Sequence, residues 1–229
     1  NDTATTSQVG NFNTPGKIYA NAVGNKDFGY FCGGRNPNIT TIQRLDFSND
    51  SENCLVKGAM TATTYSRGTA GNLNFGYFAG GYDPATNPNY NRSLVDRIDY
   101  ANDTAIALVK GSLSENKSYI ASHGDNNFGY HMGGFQPATL STVDRIDYSN
   151  DTSTATPKGH LETAIWAAGG TGTSSFAYAV GGFRSLIQRI DFSNDSATAS
   201  PRGNLTETRD ENVAFSASDN AKNTGAPLA

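Results

Sequence analysis

The chain has 229 residues, of which 36% are hydrophobic and 17% charged, and carries a net charge of −4. Seventeen Lys and Arg against 21 Asp and Glu leave no basic surplus to neutralise phosphates, which argues against nucleic-acid binding. No apolar run reaches the roughly 20 residues of a membrane span, so membrane insertion is not expected. The first residue, Asn1, falls inside a recurring pattern. The natural N-terminus, any signal peptide and further domains are therefore expected to lie outside this sequence.

Internal repetition governs the rest. Asn1–Val9 matches an outer strand that recurs later, and residues 1–14 read as a partial blade. Four repeats follow, at about 17–60, 65–113, 119–161 and 165–205, with a closing strand and tail at 212–229, all in one domain. Three motifs mark each repeat. Phe-Gly-Tyr-x-x-Gly-Gly ends at Gly34, Gly81 and Gly134, and Phe-Ala-Tyr replaces its start before Gly182. Arg-x-Asp places Arg44, Arg97, Arg145 and Arg189 two residues before Asp46, Asp99, Asp147 and Asp191, with steps of 53, 48 and 44. Lys/Arg-Gly recurs at Lys57, Lys110, Lys158 and Arg202.

Each repeat reads as four short strands. Tyr119–His123 is an inner strand, and a Gly/Asn turn leads to Phe128–Gly134, whose paired glycines allow close backbone approach. Ser141–Tyr148 alternates as a half-buried strand does. A Ser-Asn-Asp-Thr turn, suited to left-handed geometry, then leads to an outer strand over Thr152–Lys158. No segment has a helical period, so the expected class is all-β.

The order of double glycine, alternating strand with an aromatic-plus-Asp end, and outer strand resembles the kelch family of β-propellers. The likeness covers nearly the whole chain. It departs from kelch at the outer-strand Trp, since the only tryptophan, Trp166, reads as part of an inner strand. Kelch resemblance implies four-stranded antiparallel blades. Five outer and five inner strands against four of each middle strand point to a five-bladed ring with one partial blade. The alternatives are a four-bladed ring with extra edge strands and a window from a longer repeat protein. The wording Asp-Arg-Ile-Asp-Tyr-Ser-Asn-Asp-Thr also resembles virion-associated tail or appendage repeat proteins of tailed phages of marine cyanobacteria and related bacteria. That likeness implies a virion or extracellular location, with other virion proteins, or a host-surface receptor or glycan, as partners.

Candidate chemistry is sparse. Identical placement of the Arg-x-Asp residues in every repeat predicts an ion pair or turn bond holding each sheet. One Asn-Asp turn supplies too few oxygens for calcium, and no metal or other cofactor is expected. His123 and His131 occupy strand positions filled elsewhere by Val23 and Ala70, and by Phe31 and Phe78. No nucleophile elbow, P-loop or dinucleotide fingerprint occurs, and neither the Ser-x-Asp box of sialidase propellers nor a copper-ligand set is present. No catalytic residue is assigned, and the chain is not expected to be an enzyme. Cys32 and Cys54 fall on strands two positions apart, ~9.6 Å, beyond the ~7 Å limit of a disulfide. Of nine Asn-x-Ser/Thr sequons, five fall in the repeated turn, whose geometry accounts for them.

Partner contacts are expected in the loops that vary between repeats, on one face of the ring. Arg35, Tyr82, Tyr90, Arg92, Phe135 and Arg184 are the candidates. The alternative is that they only cover the blade ends.

Overall fold

The computed structural model describes residues 10–13, 18–35, 37–85 and 90–211. These residues form four four-stranded antiparallel sheets and almost no helix. Sheet I comprises β1 (Asn21–Gly24), β2 (Phe28–Cys32), β3 (Thr41–Asp46) and β4 (Leu55–Ala59). Sheet II comprises β5 (Gly68–Gly71), β6 (Phe75–Ala79), β7 (Val95–Asp99) and β8 (Leu108–Val109). Sheet III comprises β9 (Ala121–Gly124), β10 (Phe128–Met132), β11 (Thr142–Asp147) and β12 (Thr156–His160). Sheet IV comprises β13 (Ala168–Gly172), β14 (Phe176–Gly181), β15 (Arg184–Asp191) and β16 (Ser200–Arg209). Strands within each sheet follow chain order. The proposed outer strand at Asn1–Val9 and the closing strand and tail at 212–229 lie outside the described residues.

The local chemistry of each repeat explains its four strands. Between the first and second strands, the side-chain oxygens of Asn25, Asn72 and Asp125 each accept two backbone N–H bonds and close a tight turn. The paired glycines after the second strand take positive φ at every repeat, for example +62° and +114° at Gly133 and Gly134. They also crowd the next sheet, since a Cβ on Gly133 would stand 2.5 Å from the Ile165 carbonyl oxygen. Trp166 is in the bend before β13 rather than on the strand.

The outer strands start later than the sequence suggests. In sheet III, residues 152–155 belong to the turn, and β12 begins at Thr156. Their backbone is drawn to the preceding sheet instead: the Gly111 N–H donates to Asp151 O and the Ala155 N–H to Ser112 O, both at 2.8 Å.

First strands lie side by side in the order I to IV, giving a blade-like arrangement. The described residues have three hydrophobic clusters rather than one core. One cluster around Tyr30, Ile42, Phe78 and Ile98 joins sheets I and II. A second around Tyr77, Val95, Leu113 and Ile146 joins II and III, and a third around Tyr130, Val143, Ile165 and Ile190 joins III and IV. Cys32 and Cys54 are buried and unbridged.

The repeated charges hold sheet to sheet. Asp46, Asp99, Asp147 and Asp191 are turn caps, each accepting the N–H two residues on at 2.9–3.0 Å. The arginines reach past them. Arg44 pairs with Asp103 of sheet II at 2.7 Å, Arg97 with Asp151 of sheet III at 2.7 Å, and Arg145 with Asp195 of sheet IV at 2.8 Å. Of the expected ion pair or turn bond, the aspartates thus make the turn bond, and the arginines' ion pairs run between sheets, each guanidinium lying over Phe28, Phe75 or Phe128 of its own sheet. Lys57, Lys110 and Lys158 join the same three carboxylates at 3.4, 3.1 and 3.2 Å. Tyr30, Tyr77 and Tyr130 donate their hydroxyls to them as well. Burial opposes ionisation of Asp151, but the bonds from Tyr77 and Lys110 and the charge of Arg97 outweigh it and hold its carboxyl below the ordinary value.

A second buried polar set departs from the repeat. Gln43, Asp96, Asp144 and Gln188 occupy one position and are all fully buried. The two carboxylates have cations beside them: Arg67 lies 2.8 Å from Asp96 and Lys117 lies 3.0 Å from Asp144. Where Ile165 stands in the Lys117 position, Gln188 instead bonds both backbone groups of Thr163 at 2.9 Å.

His131 adjoins the Lys117 pair and bonds Ser122 Oγ through Nδ1 at 2.9 Å. Burial, with the Lys117 charge adding and Asp144 opposing, lowers its pKa to about 3. The unfolded chain therefore takes up a proton that the folded chain refuses. The stability this confers is complete above pH 6.5 and is lost as the pH falls from 6.5 toward 3. His131→Phe, the residue type of Phe31 and Phe78, is expected to remove about 2–3 kcal/mol of pH-dependent stability between pH 6.5 and 4.5. Urea unfolding of both proteins across that range measures it.

Candidate functional site

The variable loops and the segments that enter the first strands share one face. At each entry one residue adopts positive φ: Tyr19 (57°), Ser66 (53°), Tyr119 (56°) and Ala167 (54°). Glu211, with φ 49°, repeats this geometry a fifth time. Backbone bonds link these entries, with the Tyr119 N–H donating to Ser66 O at 2.7 Å and the Ala167 N–H to Tyr119 O at 3.0 Å. Positive φ in residues with a side chain is costly, and here neighbouring sheets hold it in place.

A cavity of about 440 Å³ opens among these entries, lined by Tyr19, Asn21, Arg67, Tyr119, Ala168 and Glu211 among others. Glu211 accepts the Tyr19 hydroxyl, and that bond, together with the carboxylate charge, raises the Tyr19 pKa. Arg67 is committed to Asp96 and to Gly80 O at 3.0 Å, so its charge is spent inside the fold.

Aromatic rings extend from this cavity in both directions. Tyr19 stacks on Tyr65 at 5.8 Å, Tyr65 meets Tyr82 at 5.2 Å, and Tyr82 stacks on Tyr90 at 5.1 Å. On the other side, Tyr19 meets Tyr119 at 6.1 Å and Tyr119 meets Trp166 at 5.3 Å. Trp166 contacts both Phe135 at 5.3 Å and Phe183 at 4.8 Å. The Arg35 guanidinium stands 5.8 Å from the centre of Tyr65. The result is one unbroken aromatic band drawn from all four repeats.

Four of the six expected contact residues, Arg35, Tyr82, Tyr90 and Phe135, thus belong to this band. Arg92 does not: it clasps Asp83 of its own loop at 2.9 Å. Arg184 begins β15 opposite Arg209, beside the exposed Phe183. Tyr19, Tyr65, Tyr119, Trp166, Phe183 and Glu211 are not among the contact residues expected from sequence, although Phe183 lies in one of the variable loops. The entry residues carry no Gly or Asn to signal positive φ, and only their shared offset before the double-glycine motif could have aligned them.

Chemically, the face offers stacking surfaces, one carboxylate and an exposed phenyl ring. Such groups are able to stack on and hydrogen-bond other molecules. Among the described residues no group of three His, Cys, Asp or Glu is placed to hold a metal, and no helix is long and apolar enough to cross a membrane. No protein-family model matches the chain, and no curated protein matches it.

Proposed function

We propose that the chain is a five-bladed kelch-like propeller serving as a non-catalytic structural or adhesion module of a phage virion, in a tail fibre or appendage. Its aromatic face would contact another virion protein or a host-surface receptor. The observation that carries the adhesive role is the continuity of that face, because loops that differ between repeats nonetheless assemble one patch of contacting rings. The virion setting rests on the phage-like wording of the repeats. Five entry residues of one geometry, and the return of Glu211 to the hydroxyl of Tyr19, support five blades over four.

A lectin binding glycans between blades is the competing reading. Tyr30, Tyr77 and Tyr130 fill the three described inter-sheet spaces at no more than 1% exposure, which favours contact through the face. Electron microscopy of the native assembly tests the proposal. Density joining the aromatic face to a tail or capsid protein would support it, and a free particle retaining only a sugar would install the lectin. Tyr90→Ala and Phe183→Ala are each expected to weaken attachment to virions or host cells about 10-fold or more without lowering Tm. Binding titrations with labelled protein, beside thermal melts, supply both readings.

A further inference from the structure

Three described junctions between sheets are built alike, and sheet IV carries the donor half of a fourth. At each junction a tyrosine, an arginine and a lysine converge on the Asp of the next Asn-Asp turn, and a glycine N–H donates to that Asp's carbonyl at 2.8 Å. The glycines are Gly58, Gly111 and Gly159, and a Cβ on any of them would stand 1.8–1.9 Å from a carbonyl oxygen of the next sheet. The tyrosine ring also stacks on an aromatic residue there, at 4.9, 4.7 and 4.5 Å.

On sheet IV the corresponding residues are Tyr178, Arg189, Arg202 and Gly203. Arg189 lies over Phe176 at 4.2 Å, as its counterparts lie over theirs. Among the described residues no carboxylate of a following turn meets these groups. Tyr178 is half-buried where Tyr30 and Tyr77 are fully covered, and a Cβ on Gly203 would meet nothing within 4 Å. The nearby Asp191 is occupied by Ser193, which donates through both its N–H and its hydroxyl.

The occupant is indicated at the other end of the chain. Each junction Asp precedes its glycine by 8 residues, as Asp103 precedes Gly111, and Asp2 precedes Gly10 by the same 8. The Gly10 N–H donates to Asp50 O at 2.8 Å and the Cys54 N–H to Asn11 O at 2.8 Å, repeating the bonds that Gly58 and Ala59 make to sheet II. Residues 10–11 therefore lie against sheet I as the end of an outer strand of a further repeat. By its spacing in the sequence, Asn1-Asp2-Thr3 is the counterpart of the Asn-Asp turns of the other repeats.

We infer that Tyr178, Arg189 and Arg202 form a carboxylate socket for Asp2 of the same chain, with Gly203 taking the close approach of the backbone after it. The inference rests on the five-bladed reading and adds the residues that lock it. Asp2 would bring a negative charge to two arginines and an acceptor to the Tyr178 hydroxyl, as Asp195 does for Arg145, Lys158 and Tyr130.

The test uses Arg202→Lys, the residue type of the other three repeats, and a zero-length carbodiimide that joins only carboxylates and amines in contact. The expected product is an amide within the monomer between Asp2 and the amine introduced by Arg202→Lys. Mass spectrometry would find it beside the Lys110–Asp151 cross-link as internal standard. Gly203→Ala should lower Tm as Gly159→Ala does, by about 5 °C or more. Absence of the Asp2 amide while the Lys110 amide forms, or a neutral Gly203→Ala, would overturn the inference. An amide found only in covalent dimers would also overturn it and make a second copy the occupant. Small-angle scattering of the untreated chain distinguishes a closed disc from an open arc, so failure of the lock is not confused with failure of the ring.

Discussion

Alanine at Gly111 is expected to destabilise the protein by about 3–4 kcal/mol, lowering Tm by roughly 6–16 °C. The added Cβ would stand 1.8 Å from Ser153 O and 2.3 Å from its carbonyl carbon. Both are backbone atoms, so no side chain can swing aside. Sheet III would have to withdraw by more than an ångström from sheet II, and the junction would open with it. The Gly111 N–H bond to Asp151 O would stretch, and Tyr77, Arg97 and Lys110 would lose their common carboxylate. Scanning calorimetry of Gly58→Ala, Gly111→Ala and Gly159→Ala should show three similar losses. A Gly111→Ala protein melting within a degree of the parent would refute the inter-sheet contact described above.

Lys117→Ile is expected to cost about 3–5 kcal/mol, because it strands the Asp144 carboxylate in a fully buried site. Asp144→Gln alone should also be costly, since it removes the countercharge of an ammonium whose remaining contacts are His131 O at 3.3 Å and Thr142 Oγ1 at 3.4 Å. Combined, the two substitutions install the Ile165 and Gln188 pair that sheet IV already uses without ions. The double variant should therefore recover more than half of the larger single loss, with a coupling of about 2 kcal/mol or more. Urea denaturation of the four proteins measures it. Additive losses would mean that Lys117 and Asp144 act separately.

The first prediction concerns a contact between repeats and the second a buried pair far apart within one repeat, and local sequence patterns encode neither. The Arg-x-Asp motif stands four times in the sequence, and its identical placement suggested an ion pair or a turn bond within each sheet. Asp46 and its counterparts are indeed turn caps, because a carboxylate reaches the N–H two residues on without tertiary help. The partners of the arginines, at Asp103, Asp151 and Asp195, are 50 or more residues away, and no local spacing encodes them. The aromatic face was half legible. Arg35, Tyr82, Tyr90 and Phe135 stood out because their loops vary against a constant frame. Tyr119 and Trp166 sit in segments that read as inner strands, and Tyr65 at the start of a repeat, so none stood out as a surface aromatic.

What the sequence determined by itself is the all-β class, the four repeats and the chemistry of their turns. Period-two alternation, paired glycines at positive φ and Asn-Asp turns are local properties, decided within a few residues. Only the tertiary structure decided which sheet each charge holds, where the buried ion pairs replace glutamine, and how rings from four repeats meet. Those outcomes depend on packing that buries together groups distant in sequence, within a sheet and between one sheet and the next.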